Sequence, residues 1–136
     1  MNIDSIENGY VIDHIPAGNG MRVYDVLGLG KLSCQVAIIT NAKSKKNNTK
    51  DIIKINELID LDLNIIAYVA PNATVNVIKD NKRIEKRKLY PPQRLTNVIK
   101  CPNPRCISNN ENIDHIFERT DNNGTYRCIY CETKAL

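Results

Sequence analysis

Four cysteines in the last third of the chain constrain its folding more than any other feature. Four residues lie between Cys101 and Cys106, two between Cys128 and Cys131, and 21 between the pairs. Each close pair has the spacing of a knuckle that turns both sulfurs toward one point. Two knuckles complete a tetrahedron of thiolates around Zn²⁺, with bonds of about 2.3 Å. Four protein sulfurs leave no position for water or substrate, so the expected ion is structural and not catalytic. The 44 residues from 93 to 136 are too few for a self-sufficient core, and metal binding must supply much of their folding free energy. Between the pairs, Asp121-Asn122-Asn123-Gly124 is a hairpin turn flanked by Ile116-Phe117 and Tyr126-Arg127, which predicts a small antiparallel sheet. His115 is not at ligand spacing and is expected at the surface.

The fifth cysteine, Cys34, lies on the apolar side of a strand pattern and is assigned to a core. An odd number of cysteines with four clustered favours metal over disulfides in a reducing compartment. No apolar run approaches the roughly 20 residues of a membrane helix. Asp4 and Glu7 interrupt any secretory pattern at the N-terminus. A cytoplasmic location is therefore expected, with no membrane partner. Residues 1–92 hold 13 Lys/Arg against 10 Asp/Glu, and residues 93–136 hold 6 against 5. A dication with four thiolates takes the second segment to −1, which disfavours phosphate-backbone binding and a nucleic-acid partner. Two histidines, no evident Cys–His pair and closed metal coordination argue against an enzyme.

Along the first 92 residues the pattern is strand, helix, strand, strand, helix, strand, strand. Residues 10–16 alternate as a strand ended by Pro16. Met21 to Leu27 have helical spacing, closed by Gly28 and Gly30. Residues 33–40 form a second strand and 41–49, with Lys43, Lys45 and Lys46, a polar loop. Three isoleucines in four residues make 50–58 a strand. Residues 60–69 read as a helix with Asp60 as N-cap. Strands follow at 74–78 and 82–89 around an Asp80-Asn81 turn. This order predicts an α+β, ferredoxin-like domain, with an antiparallel sheet and two helices on one face, followed by a small all-β, zinc-ribbon-like domain. Pro91 and Pro92 stiffen the junction, and the boundary is expected between 92 and 93. There is no Gly-x4-Gly-Lys-[Ser/Thr] loop, so a polyphosphate would have to be met by lysines on strands.

Val11-Ile12-Asp13-His14-Ile15-Pro16-Ala17, Lys50-Asp51-Ile52-Ile53-Lys54-Ile55, Ala73-Thr74-Val75-Asn76 and Cys101-Pro102-Asn103…Cys106-Ile107-Ser108 follow one another in order. Together with the zinc spacing they closely resemble the regulatory chain of aspartate carbamoyltransferase, from pyrimidine biosynthesis, over nearly the whole chain. The resemblance implies a non-catalytic allosteric subunit. Its first domain binds CTP, often with UTP, as inhibitor and ATP as activator, with Mg²⁺ as an accompanying ion. Two first domains pair into a regulatory dimer, and the zinc domain docks on a separate catalytic chain. Two catalytic trimers join three regulatory dimers. By motif, Asp13 and His14 line the effector pocket and Lys54 contacts base and ribose. Asn76 lies near the phosphates and Lys86 binds phosphate, with Arg87 and Lys88 as alternatives. Ile3 and Ile6 meet the base through backbone groups. Beside this, Asp13-His14 also fits a structural turn, and Lys86 also fits a solvated edge-strand gatekeeper.

Overall fold

The computed structural model describes residues 6–45 and 48–135. The chain divides into two compact units, one ending at Tyr90 and the other beginning at Pro91. Among the described residues no helix is long and apolar enough to cross a membrane.

The first unit contains β1 (Gly9–Pro16), α1 (Gly20–Val26), β2 (Val36–Ser44), β3 (Asn48–Ile55), α2 (Leu63–Val69), β4 (Thr74–Lys79) and β5 (Lys82–Lys88). The strands form one sheet in the order β2-β3-β1-β4-β5, and every neighbouring pair is antiparallel. This is the ferredoxin-like arrangement extended by a fifth strand. Ile12, Ile53 and Val75 point to one face and pack with Val23 of α1 and Ile66 and Val69 of α2. The opposite face carries Val11, Lys54 and Asn76, because side chains alternate along a strand.

Two irregularities shape the end of this sheet. Ile12 pairs with Ile53, but Ile15 pairs with Asp51, so β1 carries one extra residue. Ile39 pairs with Ile52 and Ala42 with Lys50, so β2 carries one as well. The extra residues are accommodated where His14 (φ 59°) and Asn41 (φ 57°) adopt left-handed backbone. Such bulges bend a strand and re-aim its side chains.

Several boundaries differ from expectation. The second strand starts at Val36, which leaves Cys34 in the preceding bend, partly buried against the core. It runs on to Ser44, so much of the expected polar loop is hairpin: Lys43 pairs with Thr49, and Ser44 with Asn48. Backbone pairing extends a hairpin past its apolar residues where side chains face water. Lys46 lies outside the described residues. The second helix starts at Leu63, not at 60. The Asp62 carboxylate, not that of Asp60, accepts the N–H groups of Asn64 (3.0 Å) and Ile65 (3.4 Å), and those are the donors an N-cap must reach. Asp80 and Asn81 both have positive φ, as a tight two-residue hairpin turn requires.

The second unit contains β6 (Arg94–Thr96), α3 (Ile107–Asn110), β7 (Ile116–Arg119) and β8 (Tyr126–Cys128), with the strands in the order β6-β7-β8. Its apolar core is small: Leu95, Phe117 and Tyr126. The carbonyl of Pro91 accepts a hydrogen bond from Arg119 (3.0 Å) and that of Pro92 one from the Tyr126 hydroxyl, so both prolines are tied into this unit. The expected 121–124 turn is present. Asp121 accepts from Asn123 N–H (2.8 Å) and Thr125 N–H (3.2 Å), and Gly124 has φ 80°.

Candidate functional site

The four cysteine sulfurs lie within 4.8 Å of one another. Cys101 and Cys131 are 3.5 Å apart and Cys106 and Cys128 3.6 Å. A tetrahedron with metal–sulfur bonds of about 2.3 Å has edges of about 3.8 Å, so the sulfurs are spaced to surround one ion. These distances are far beyond the ~2.05 Å of a disulfide. Cys101, Cys106 and Cys128 are buried and Cys131 is half-buried.

The knuckles are held by amide side chains. Asn109 Nδ2 donates to the carbonyls of Cys101 (2.9 Å) and Asn103 (2.7 Å), and Asn110 Nδ2 to those of Cys106 (2.8 Å) and Pro104 (3.2 Å). Two adjacent asparagines on α3 thus fix the whole 101–106 loop. His115, expected at the surface, is half-buried, and its Nδ1 accepts the Cys101 N–H at 3.3 Å. In the absence of a metal the sulfurs are not equivalent. Burial pushes the Cys101 thiol up to about 12, whereas the Thr133 hydroxyl leads the groups that bring Cys131 down to about 6. A dication is the species that would hold all four as thiolates.

A second constellation occupies the sheet face away from the helices. Val11 pairs with Lys54 on one side and Asn76 on the other, and Asn76 pairs with Lys86. Lys54, Val11, Asn76 and Lys86 therefore form one row across four adjacent strands, side chains on the same face. The next row places Asp13 beside Thr74, and Thr74 beside Lys88. Where these rows end, at the close of β1, a cleft of about 940 Å³ opens, lined among others by His14, Lys50, Thr74, Lys86, Lys88 and Tyr90.

The bulge in β1 is what turns His14 toward this cleft. The His14 N–H is held by Asp13 Oδ1 (2.6 Å) and its Nδ1 lies 3.1 Å from the Thr74 hydroxyl. Asp13 forms an ion pair with Lys50 at 2.9 Å. Burial alone would raise the Asp13 carboxyl. The Lys50 hydrogen bond, the His14 N–H and the neighbouring charges outweigh it and hold the group below its ordinary value. Asn76 donates to the Val11 carbonyl at 3.4 Å, while its Oδ1 is buried with no hydrogen-bond partner among the described residues.

Of the residues named from sequence, His14 and Lys86 line the cleft, Asp13 adjoins it through Lys50, and Lys54 and Asn76 lie in the adjoining row. Ile6 is buried just before β1, at the opposite end of that strand, where Glu7 N–H is held by Asn56 (3.2 Å) and Asp80 N–H by Asn8 (3.2 Å). Ile3 lies outside the described residues. Arg87 pairs with Val75, on the helix-side face, and its guanidinium is hydrogen-bonded to Glu85 at 3.1 Å. Lys50 was missed as a site residue. It precedes Lys54 by four, an even number that puts both on one face of a strand, and that signal was available in the sequence.

Residues 1–90 match the family model described as "Aspartate carbamoyltransferase regulatory chain, allosteric domain", and residues 93–135 match its "metal binding domain". The chain is 48% identical to a protein of Clostridium acetobutylicum over 97% of this chain and 92% of the relative. It is 39% identical to one of Bifidobacterium longum over 99% of both. It is 45% identical to one of Staphylothermus marinus over 95% of this chain and 82% of the relative. All three bear the name aspartate carbamoyltransferase regulatory chain. The domain order, the antiparallel sheet with its two helices and the four-sulfur centre agree with those matches, and the chain belongs to the family of aspartate carbamoyltransferase regulatory chains, non-catalytic subunits with an allosteric and a metal-binding domain.

Proposed function

We propose that residues 1–92 sense nucleoside triphosphates, with CTP and UTP as inhibitors and ATP as activator, and that residues 93–136 hold Zn²⁺ and dock on the catalytic chain. The observation that carries this is the row of Lys54, Asn76 and Lys86 leading into a cleft that adds Lys50, Lys88 and His14. A triphosphate brings about four negative charges and needs cations that converge on it. Four lysines against the single carboxylate of Asp13 meet that need without a phosphate-binding loop. The unpartnered Asn76 Oδ1 accepts a ligand donor, and Asp13 accepts a ribose hydroxyl. Ile6 and Ile3 meet the base through backbone groups in this proposal. Four thiolates at these spacings, in a closed site, suit Zn²⁺.

Regulatory chains pair into dimers in this proposal, and three dimers join two catalytic trimers in the cytoplasm. An effector shifts such an assembly only through a difference in its affinity for the two states. The test is calorimetric titration of the zinc-loaded full chain, alone and assembled with the catalytic chain, by CTP, ATP and UTP. Saturable binding of at least one nucleotide is expected, and Lys54→Ala abolishes it while assembly is retained. Absence of binding in both settings overturns the sensor function. Full CTP response in Lys54→Ala overturns the pocket assignment.

A further inference from the structure

Two hydroxyls stand at matching places on the two cysteine knuckles. Ser108 follows Cys106 by two residues and Thr133 follows Cys131 by two. Ser108 Oγ is 3.1 Å from Cys106 Sγ, and Thr133 Oγ1 is 3.2 Å from Cys131 Sγ. In each knuckle it is the second cysteine that is served this way. Ser108 is 3% exposed, and a hydroxyl so buried is tolerated when it is hydrogen-bonded. In this structure the Cys131 thiol donates to the Thr133 hydroxyl, and either atom of the Cys106–Ser108 pair can donate; a thiolate has no proton to give, so with metal bound the hydroxyl would be the donor in each pair.

We infer that Ser108 and Thr133 are positioning residues of the metal centre, each donating its hydroxyl proton to one liganding thiolate; this rests on the metal-binding assignment of the four cysteines. A dication with four thiolates leaves a net charge of −2 in a site three of whose ligands are buried. Such charge is costly away from water unless donors disperse it. Two O–H···S bonds, one per knuckle, spread that charge and fix the rotamers of Cys106 and Cys131. Outer hydrogen bonds of this kind tune metal affinity by about 10–100-fold. The other two cysteines have different surroundings: Cys101 is fixed through its backbone by Asn109 and His115, and Cys128 through its backbone by Glu132 and Thr133.

The test uses the full chain loaded with Co²⁺, whose sulfur-to-metal charge-transfer absorption reports on thiolate electron density. Thr133→Val keeps the side-chain shape and removes the hydroxyl. The expected result is a shift of that band to lower energy and metal transfer to a chromogenic chelator about tenfold faster. Thr133→Ser restores both. Ser108→Ala is expected to behave as Thr133→Val does; should it fail to fold, the Thr133 pair decides alone. A Thr133→Val chain with unchanged band and unchanged transfer rate overturns the inference, because a packing role would move neither. Absence of any cobalt–thiolate band in the unmodified chain overturns the metal assignment itself, and the inference with it.

Discussion

The carboxylate of Asp51, in the middle of the sheet, accepts the backbone N–H of Gly20, the first residue of α1, at 2.9 Å. The same oxygen accepts Gly18 N–H at 3.0 Å, and the other oxygen accepts Asn41 N–H at 3.0 Å. Asp51 is 1% exposed, so this charge is retained inside the protein by three backbone donors. It supplies the cap for α1 that the Asn19 side chain does not make. It also joins the two strands that carry an extra residue, reaching the β2 bulge directly and β1 through the turn that follows it. The neighbouring Lys50 points the other way, into the cleft. Two consecutive residues thus serve the two sides of one strand.

Removing this carboxylate should be expensive. Asp51→Ala takes the partner from three N–H groups, that of Gly20 buried and those of Gly18 and Asn41 part-buried, and the loss should reach about 3 kcal/mol. Gly20→Ala is a milder probe, since its Cβ would lie 2.9 Å from Asp51 Oδ2 and force a shift; about 1–2 kcal/mol is expected, as for a modestly overpacked site. Urea unfolding measures both. An Asp51→Ala midpoint equal to that of the unmodified chain would show that water or a local rearrangement satisfies the donors.

How far the sequence revealed this depends on the kind of interaction. Ile12, Ile53 and Val75 advertise the sheet by alternation, and the cysteine spacing advertises the metal centre, because both signals are local. The bulges at His14 and Asn41 are not local. They lie beside Asp51, whose carboxylate ties Gly18, Gly20 and Asn41 together, and no periodicity reports such a tie. The spacing of Lys50 from Lys54 put it on the same strand face, but its pairing with Asp13 depends on the register of β1 with β3, which no periodicity reports. The same limit misplaced the start of α2, where Asp60 and Asp62 are equivalent as letters and only the geometry of Asn64 and Ile65 separates them.

The Asp13–Lys50 pair predicts a pH dependence with a definite sign. The folded carboxyl lies below its ordinary value of 3.8, so its contribution to stability is fully present above that value. It disappears as pH falls through the folded pKa. The gap in urea midpoint between the unmodified chain and Asp13→Asn should therefore be constant from pH 7 to about 5 and close below about 4. A gap that widens on acidification would reverse the sign and remove the ion pair as its cause.

Within β5 the three consecutive cations should not be equivalent. Lys86 and Lys88 share the cleft face, while Arg87 bonds to Glu85 on the other. Lys86→Ala and Lys88→Ala are each expected to weaken nucleotide binding by about tenfold, the scale of one charge-assisted hydrogen bond. Arg87→Ala should leave it within about twofold. Calorimetric titration of the three variants ranks them, and a large effect confined to Arg87 would require the strand to shift register when ligand binds.

Metal removal should separate the two units by stability. Among the described residues the second unit has only Leu95, Phe117 and Tyr126 as large apolar residues in its core, together worth roughly 5–9 kcal/mol of burial. Ordering its backbone costs about 1–2 kcal/mol per residue, so those three side chains fall far short, while structural zinc supplies about 10–16 kcal/mol in comparable small domains. Among the described residues the first unit has its own larger core of eleven buried residues around Ile12, Ile53 and Ile66. Treatment with a mercurial and chelator should therefore abolish amide-exchange protection at Phe117 and Leu95 while Ile12 and Ile53 stay protected. Continued protection of Phe117 in the stripped chain would mean that the knuckle hydrogen bonds of Asn109 and Asn110 hold the unit together without an ion. Loss at Ile12 as well would mean that the first unit depends on the second for its stability.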